Sequence, residues 1–447
     1  MFLILALIPI PQEVSFSSQP PLRLESVKFR CQYYDLSSCQ SDMQETLNFF
    51  QKQFDTDATS EKVQININLT QKNESPDPTT LNESYTISTL TTSIEIEACN
   101  VFGLSRALFT VFKYTENGFF NVSKTHDFST SNIRFFQLNV ADNFRNLNSL
   151  KTDITKLAFL SFNMIQLVVS SDVSTPLKNE FSPQNTLIKT AFPGRFYAPR
   201  DFAEIYEFAL KIGVFVSLEF QNPGFCSLLE KGMKIQNSIQ ILNESSVNLI
   251  VGIFYENLMS VWPGKNIVHL SGKTVNLDEF RADAEIQKFV AEQDVSYSVL
   301  YGKFVQNVTR AVRQSYKDKQ QPMIIKYEEQ LEFAEDDDIL QFHASQNVQK
   351  ALALGFKVLL QVNQNLDKMK IGGETVRFRG EEWAHILKNC FVNDNKLILG
   401  GGFSAASVDG ELDNAIAASQ CLWQKIEPSE QFQERVQLVK AKMAKLR

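Results

Sequence analysis

The chain has 447 residues, room for two domains, and its 43% apolar and 21% charged composition is that of a globular protein with ample core material. A formal net charge of -7 without clustered Lys and Arg argues against nucleic acid as a partner, because phosphate neutralisation needs a basic surface. No run approaches the ~18 apolar residues of a membrane span.

In chain order, Met1 to Pro9 is a short apolar run, followed by the small-residue site Ser15-Phe16-Ser17. It reads as a signal peptide over residues 1–18, with a mispredicted start or an apolar first strand as the alternative. Six cysteines without CxxC spacing make a zinc site unexpected and, in a secreted chain, imply two or three disulfides. Glycosylation sequons at Asn68, Asn82, Asn121, Asn243 and Asn307 point the same way, while Asn73 is a poor acceptor because Pro76 follows its Ser75. The expected location is the secretory pathway, extracellular or lysosome-like.

Residues 24–125 form a first unit. Val63, Ile65, Ile67 and Leu69 alternate with polar residues, as do Ile94, Ile96 and Ala98, so both segments predict half-buried strands. Gln71 to Thr80, with Pro76 and Pro78, predicts a loop, and Val101 to Tyr114 a helix. The expected outcome is a small α+β domain.

Residues 130–447 change rhythm. Short apolar strands are predicted at Phe135–Val140, Met164–Val169, Val214–Phe220, Ile267–Leu270, Met323–Tyr327, Ile339–Phe342, Lys357–Val362 and Leu397–Leu399. Amphipathic helices lie between them, with Leu150, Ile154, Leu157 and Ala158 on one face and Phe202, Ile205, Phe208, Ala209 and Ile212 on another. Eight such repeats predict an α/β fold, a (β/α)8 TIM barrel closed by the helix ending at Trp423 and followed by a polar terminal helix.

In such a barrel the reacting groups sit at the C-terminal ends of the strands. The fourth predicted strand runs Ile267-Val268-His269-Leu270-Ser271-Gly272-Lys273-Thr274-Val275 and carries no carboxylate. It resembles the strand-four signature His-x-Gly-Gly-Asp-Glu-Val of glycoside hydrolase family 20, the β-N-acetylhexosaminidases. Tyr197 to Ala209, Glu219-Phe220-Gln221-Asn222-Pro223-Gly224-Phe225, and Leu397 to Gly402 resemble the same family in order and spacing, so the resemblance covers nearly the whole chain.

The resemblance implies substrate-assisted retention, in which the sugar's acetamido oxygen attacks, a Glu protonates the leaving oxygen and an Asp stabilises the cationic intermediate. The two catalytic positions read Lys273 and Thr274 here. A threonine is no general acid near neutral pH. A lysine ~4 Å from developing positive charge costs about 4 kcal/mol at an effective dielectric near 20, about a thousandfold in rate. The family's substrate-contacting Arg corresponds to Arg134, while Tyr327 and His343 stand at two of its Trp positions and Asn365 at a Tyr. Arg134, Tyr327 and His343 are therefore the substrate-binding candidates. Relocated acids at Glu219, Glu328 and Glu329 are the alternative to lost catalysis, and structural or surface roles are their bland reading. The acidic run Glu335 to Asp338 precedes a strand and reads as solvated charge at the opposite face. The four histidines lack metal spacing, and neither metal nor cofactor is implied.

The leading expectation is a catalytically inactive hexosaminidase-like subunit for glycan binding or assembly. Its ligand would be an N-acetylhexosamine-containing glycan and its state a homo- or hetero-oligomer. The alternatives are an active β-N-acetylhexosaminidase with relocated acids and a purely structural interaction protein.

Overall fold

The computed structural model describes residues 9–446 apart from 19, 25, 32–35, 55–62, 71–76, 117, 171–194, 222–233, 236–237, 243, 249–266, 272–275, 317–320, 343–346, 364–368, 372–373, 377–395, 406–407, 409–411, 424–429 and 445. The first unit contains β1 (Glu13–Phe16), β2 (Val27–Cys31), α1 (Leu36–Phe54), β3 (Val63–Leu69), β4 (Tyr85–Thr89), β5 (Ser93–Ala98), α2 (Val101–Tyr114) and β6 (Val122–Asp127). Its six strands form one mixed sheet in the order β1-β6-β4-β5-β3-β2. The alternation read from the sequence orients β3 and β5, whose Ile65, Ile67, Ile94 and Ile96 are buried.

Helix α2 begins at Asn100, whose side chain accepts from the Gly103 N–H. It is buried on nearly every face because it lies between the sheet and the barrel. Gly103 is required there, since a Cβ would sit 2.9 Å from the Ser84 carbonyl oxygen.

The eight predicted barrel strands all form: β7 (Ile133–Asn139), β8 (Met164–Val168), β9 (Phe215–Gln221), β10 (Ile267–Ser271), β11 (Met323–Tyr327), β12 (Ile339–Phe342), β13 (Lys357–Asn363) and β14 (Ile398–Ala405). All pair in parallel and β14 closes on β7. The helices include α3 (Leu147–Phe159), α4 (Pro199–Lys211), α5 (Leu277–Ala282), α6 (Ala284–Gln293), α7 (Tyr297–Ser315), α8 (Val348–Ala353), α9 (Leu412–Trp423) and α10 (Glu430–Met443). The lower barrel is filled by Ile133, Phe135, Met164, Phe215, Ile267, Met323, Ile325, Ile339, Leu359 and Leu399. Phe102 of α2 joins this cluster and stacks on Phe215 with centroids 4.8 Å apart, so the first unit plugs the barrel's lower end. Gly402 leaves room for the Phe135 ring, which a Cβ would approach to 2.4 Å.

Strand β1 pairs antiparallel with β6, and the chain before it is tied in as well: Ile10 N–H donates to Gln420 Oε1 at 2.8 Å and Gln12 N–H to Asp127 Oδ1 at 3.1 Å. An edge strand thus lies inside the segment expected as a signal peptide. Two expectations are corrected. Asp338 is buried rather than solvated, with Lys326 Nζ 2.7 Å away and both side chains fully enclosed. Cys99 is a free thiol beside Ser84 Oγ at 3.1 Å, so three disulfides do not form. Among the described residues, no helix is long and apolar enough to cross a membrane, and no group of His, Cys, Asp and Glu could hold a metal.

Candidate functional site

Strand alternation places residues i and i+2 on the same face. Above the apolar floor, and therefore nearer the C-terminal ends, the inward positions become polar: Gln137 on β7, Gln166 on β8, Glu219 on β9, His269 on β10, Tyr327 on β11, Gln341 on β12 and Gln361 on β13. None is more than 5% exposed.

Their contacts form a directional chain. Gln137 Nε2 donates to Glu219 Oε2 at 2.5 Å and to the Tyr327 hydroxyl at 2.7 Å. Its carbonyl oxygen accepts from Gln361 Nε2 at 2.7 Å, Gln361 accepts from Gln341 at 2.5 Å, and Gln341 accepts from Gln166 at 2.9 Å. An ionised carboxylate only accepts, so Glu219 fixes the orientation of Gln137, and each amide then fixes the next. The carboxylate also accepts from the Tyr327 hydroxyl at 3.3 Å and has His269 Nδ1 at 3.3 Å. Burial, and then the nearby Glu219 charge, raises the Tyr327 hydroxyl well above the ordinary phenol range, so it stays a donor.

This arrangement places two of the expected site residues. Glu219 is 1% exposed and held from three sides within the layer. Tyr327 is likewise 1% exposed and lies in the layer, its ring 4.7 Å from that of His269.

Arg134 belongs to a different place. It sits near the start of β7, at the end opposite the barrel mouth, and is 1% exposed. Its guanidinium pairs with Glu83, donates to the Ser161 and Ser131 carbonyl oxygens, and lies 4.9 Å from the Trp423 ring. It is a joint between the first unit and the barrel.

Glu328 and Glu329 open a 3-10 turn (Glu328–Phe333) directly after β11, Glu328 half-buried and Glu329 exposed. Lys273, Thr274, His343, Asn365, Phe225 and Asn243 lie outside the described residues. Of the other sequons, Asn68, Asn82 and Asn307 are exposed, while Asn121 is half-buried. A cleft of about 620 Å³ lined by Arg310, Arg313, Gln314, Gln321 and Glu335 opens at the opposite end, beside the starts of β11 and β12.

The amide chain was missed from sequence. Its signal is a glutamine two residues beyond an inward apolar residue on four strands: Phe135/Gln137, Met164/Gln166, Ile339/Gln341 and Leu359/Gln361.

Residues 132–389, more than half of the chain, match the family described as "Glycosyl hydrolase family 20, catalytic domain". The chain belongs to glycosyl hydrolase family 20. Among curated proteins it is similar to the beta-hexosaminidase subunit beta of Felis catus, 24% identical over 233 residues, which is 48% of this chain and 44% of that protein. The subunit alpha of Rattus norvegicus is 25% identical over 246 residues, 51% of this chain and 46% of that protein. The matched region thus spans less than half the length of these relatives. Two solved structures share the family 20 fold. The Flavobacterium johnsoniae chitobiase has a TM-score of 0.78 at 18% identity, with 98% of this chain and 72% of that one covered. The Bacteroides fragilis β-N-acetylhexosaminidase has a TM-score of 0.76 at 16% identity, with 98% and 95% covered.

Proposed function

We propose that this family 20 chain is a non-hydrolytic hexosaminidase-like protein of the secretory pathway, serving as a glycan-binding or assembly subunit. The observation that supports this most is the state of Glu219. The inward carboxylate at the barrel's C-terminal half is spent orienting four glutamines, and the family's acid pair reads Lys273 and Thr274 in the sequence. The ligand class that follows from family membership is a glycan bearing N-acetylhexosamine. The curated relatives are named as subunits, which favours an assembling protein. The exposed sequons Asn68, Asn82 and Asn307 and a disulfide-bonded Cys31 favour the secretory route.

The test pairs two assays on the purified chain: turnover of chromogenic N-acetylglucosaminides and N-acetylgalactosaminides, and equilibrium binding of N-acetylglucosamine. Binding or self-association without turnover is the expected result. The half-buried Glu328 and the exposed Glu329 keep one competitor specific. Turnover that survives Lys273→Ala and disappears in Glu328→Gln or Glu329→Gln would replace this reading with an active enzyme using relocated acids.

A further inference from the structure

Asp127 ends β6 and lies 3% exposed where the first unit meets the last barrel helix. Its Oδ1 accepts from Gln12 N–H at 3.1 Å, from Phe128 N–H at 3.0 Å and from the Trp423 indole N–H at 2.9 Å. Its Oδ2 accepts from the Tyr85 hydroxyl at 2.6 Å, and the Tyr85 oxygen lies 2.7 Å from Thr110 Oγ1. The groups facing it are Tyr85 from β4, Thr110, Lys113 and Tyr114 from α2, Trp423 from α9, and Arg134 from β7. Behind these, Arg435 of α10 faces Tyr114, and Lys442 of α10 donates to the Lys113 carbonyl oxygen.

We infer that this junction is a proton-operated latch: Asp127 takes up a proton in mild acid, and the Tyr85–Thr110 chain reverses so that no bond to Trp423 is lost. In the ionised state Thr110 donates to Tyr85 and Tyr85 donates to Oδ2. When a solvent proton binds Oδ2, that oxygen donates to Tyr85 and Tyr85 donates to Thr110. Oδ1 keeps its three donors in both states. Asp127 and Tyr85 keep a matched partner at each of these contacts in both states, whereas a buried group left unsatisfied by protonation would oppose it.

Burial, only partly offset by the donors, pushes the Asp127 carboxyl from 3.8 up to about 6. The folded state therefore binds this proton more tightly than the unfolded chain, and the junction gains stability as pH falls through 6 towards 3.8. Lys113, whose buried ammonium is pushed down to about 7, has the opposite sense. Its neutral form suits the fold, so its effect varies between about 7 and 10.5 and is constant in acid. Burial also raises the Asp338 carboxyl, so comparison with Asp127→Asn is what isolates Asp127 in the acid window.

The test is chemical denaturation of the full chain and of Asp127→Asn, an isosteric mimic of the protonated state, between pH 7.5 and 4. The folding equilibrium of the natural chain should improve relative to the variant on the order of 50-fold across that range. A flat ratio overturns the latch. Carbon-13 carboxyl NMR of the natural chain reads the same group even where the variant fails to fold. A midpoint near 6 is expected, and one at an ordinary carboxyl value overturns it. Thr110→Val removes the acceptor that the reversed chain needs, so it should move the midpoint down. An unchanged midpoint overturns the relay.

Discussion

Glu83 grips Arg106 and Arg134 with its two carboxylate oxygens, and so holds the first unit to the barrel with a single buried anion. Arg106, from α2, carries on to the carbonyl oxygens of Ala158 at 3.0 Å, Phe162 at 3.1 Å and Gly213 at 2.6 Å, where α3 and α4 give way to the next strands. The guanidinium thereby satisfies carbonyls at helix C-terminal ends, where a cation is favoured. Asn163 adds a further donor to Glu83 at 3.0 Å. Although burial opposes ionisation, the two guanidinium groups hold the Glu83 carboxyl below its ordinary value.

Glu83→Gln should therefore cost about 3–5 kcal/mol, the usual result of stranding one side of a buried charge network. Glycan binding by the folded fraction should be unchanged, because the junction lies at the end away from the mouth. Denaturant unfolding read beside equilibrium sugar binding checks both halves. A cost under about 1 kcal/mol would show that the pairs are not the joint they look to be.

The barrel was legible because each strand writes its own burial: a mainly apolar segment of three to seven residues bounded by turn signals, repeated eight times with helical segments between. The first unit was only half legible. β3, β5 and α2 alternate or repeat cleanly, whereas β1 is a four-residue edge strand, and the sequence of α1 mixes Ser, Gln and Asp among its apolar residues. The site was hardest to read for a physical reason. Arg134 matches a family position in sequence, but whether an arginine faces a ligand or a buried glutamate depends on Glu83, 51 residues away in the chain. The amide chain rests likewise on pairs such as Gln137 and Gln361, which become neighbours only when the barrel closes.

Glu219→Leu tests the orientation argument. Gln137 and Tyr327 both donate to one oxygen of Glu219, so a leucine there takes that acceptor from two buried donors. The expected cost is about 1–3 kcal/mol, that of leaving buried polar groups unmatched. Glu219→Gln should cost less, because its amide oxygen can take the same place and accept from both. Equal stability of Glu219→Leu and the natural chain in denaturant would mean that the carboxylate does not hold the chain in place.

Lys326 and Asp338 predict an asymmetric double-mutant cycle. Lys326 is fully enclosed, and its ammonium has the Asp338 carboxylate at 2.7 Å and only a long 3.4 Å contact to the Phe333 carbonyl oxygen. Asp338 has more support: Arg313 at 2.9 Å and the Glu335 N–H at 2.8 Å. Asp338→Asn should therefore cost about 3–5 kcal/mol, because it strands the lysine, and Lys326→Met distinctly less. The pair Lys326→Met with Asp338→Asn should recover most of the loss, since burial already pushes the lysine down and the carboxyl up. Additive single costs would show that the two groups do not depend on each other.

The edge strand β1 decides where processing of the N-terminus is compatible with the fold. Val14 and Phe16 pack against the main core, and the Phe16 ring meets Tyr114 edge-on at 6.1 Å. Gln12 supplies one of the donors to Asp127, and Ile10 ties the segment to Gln420 of α9. A chain starting at Pro20 would lose all of these, expose the β6 edge and forfeit about 3 kcal/mol from the two apolar side chains alone. A chain starting at Pro9 would keep them. Cleavage in secreted material is therefore expected at or before Pro9, not at the small-residue site of 15–17, and N-terminal mass mapping reads this directly. Secreted protein beginning at Gln19 or Pro20, with stability equal to that of the longer chain, would show that β1 is no part of the mature sheet.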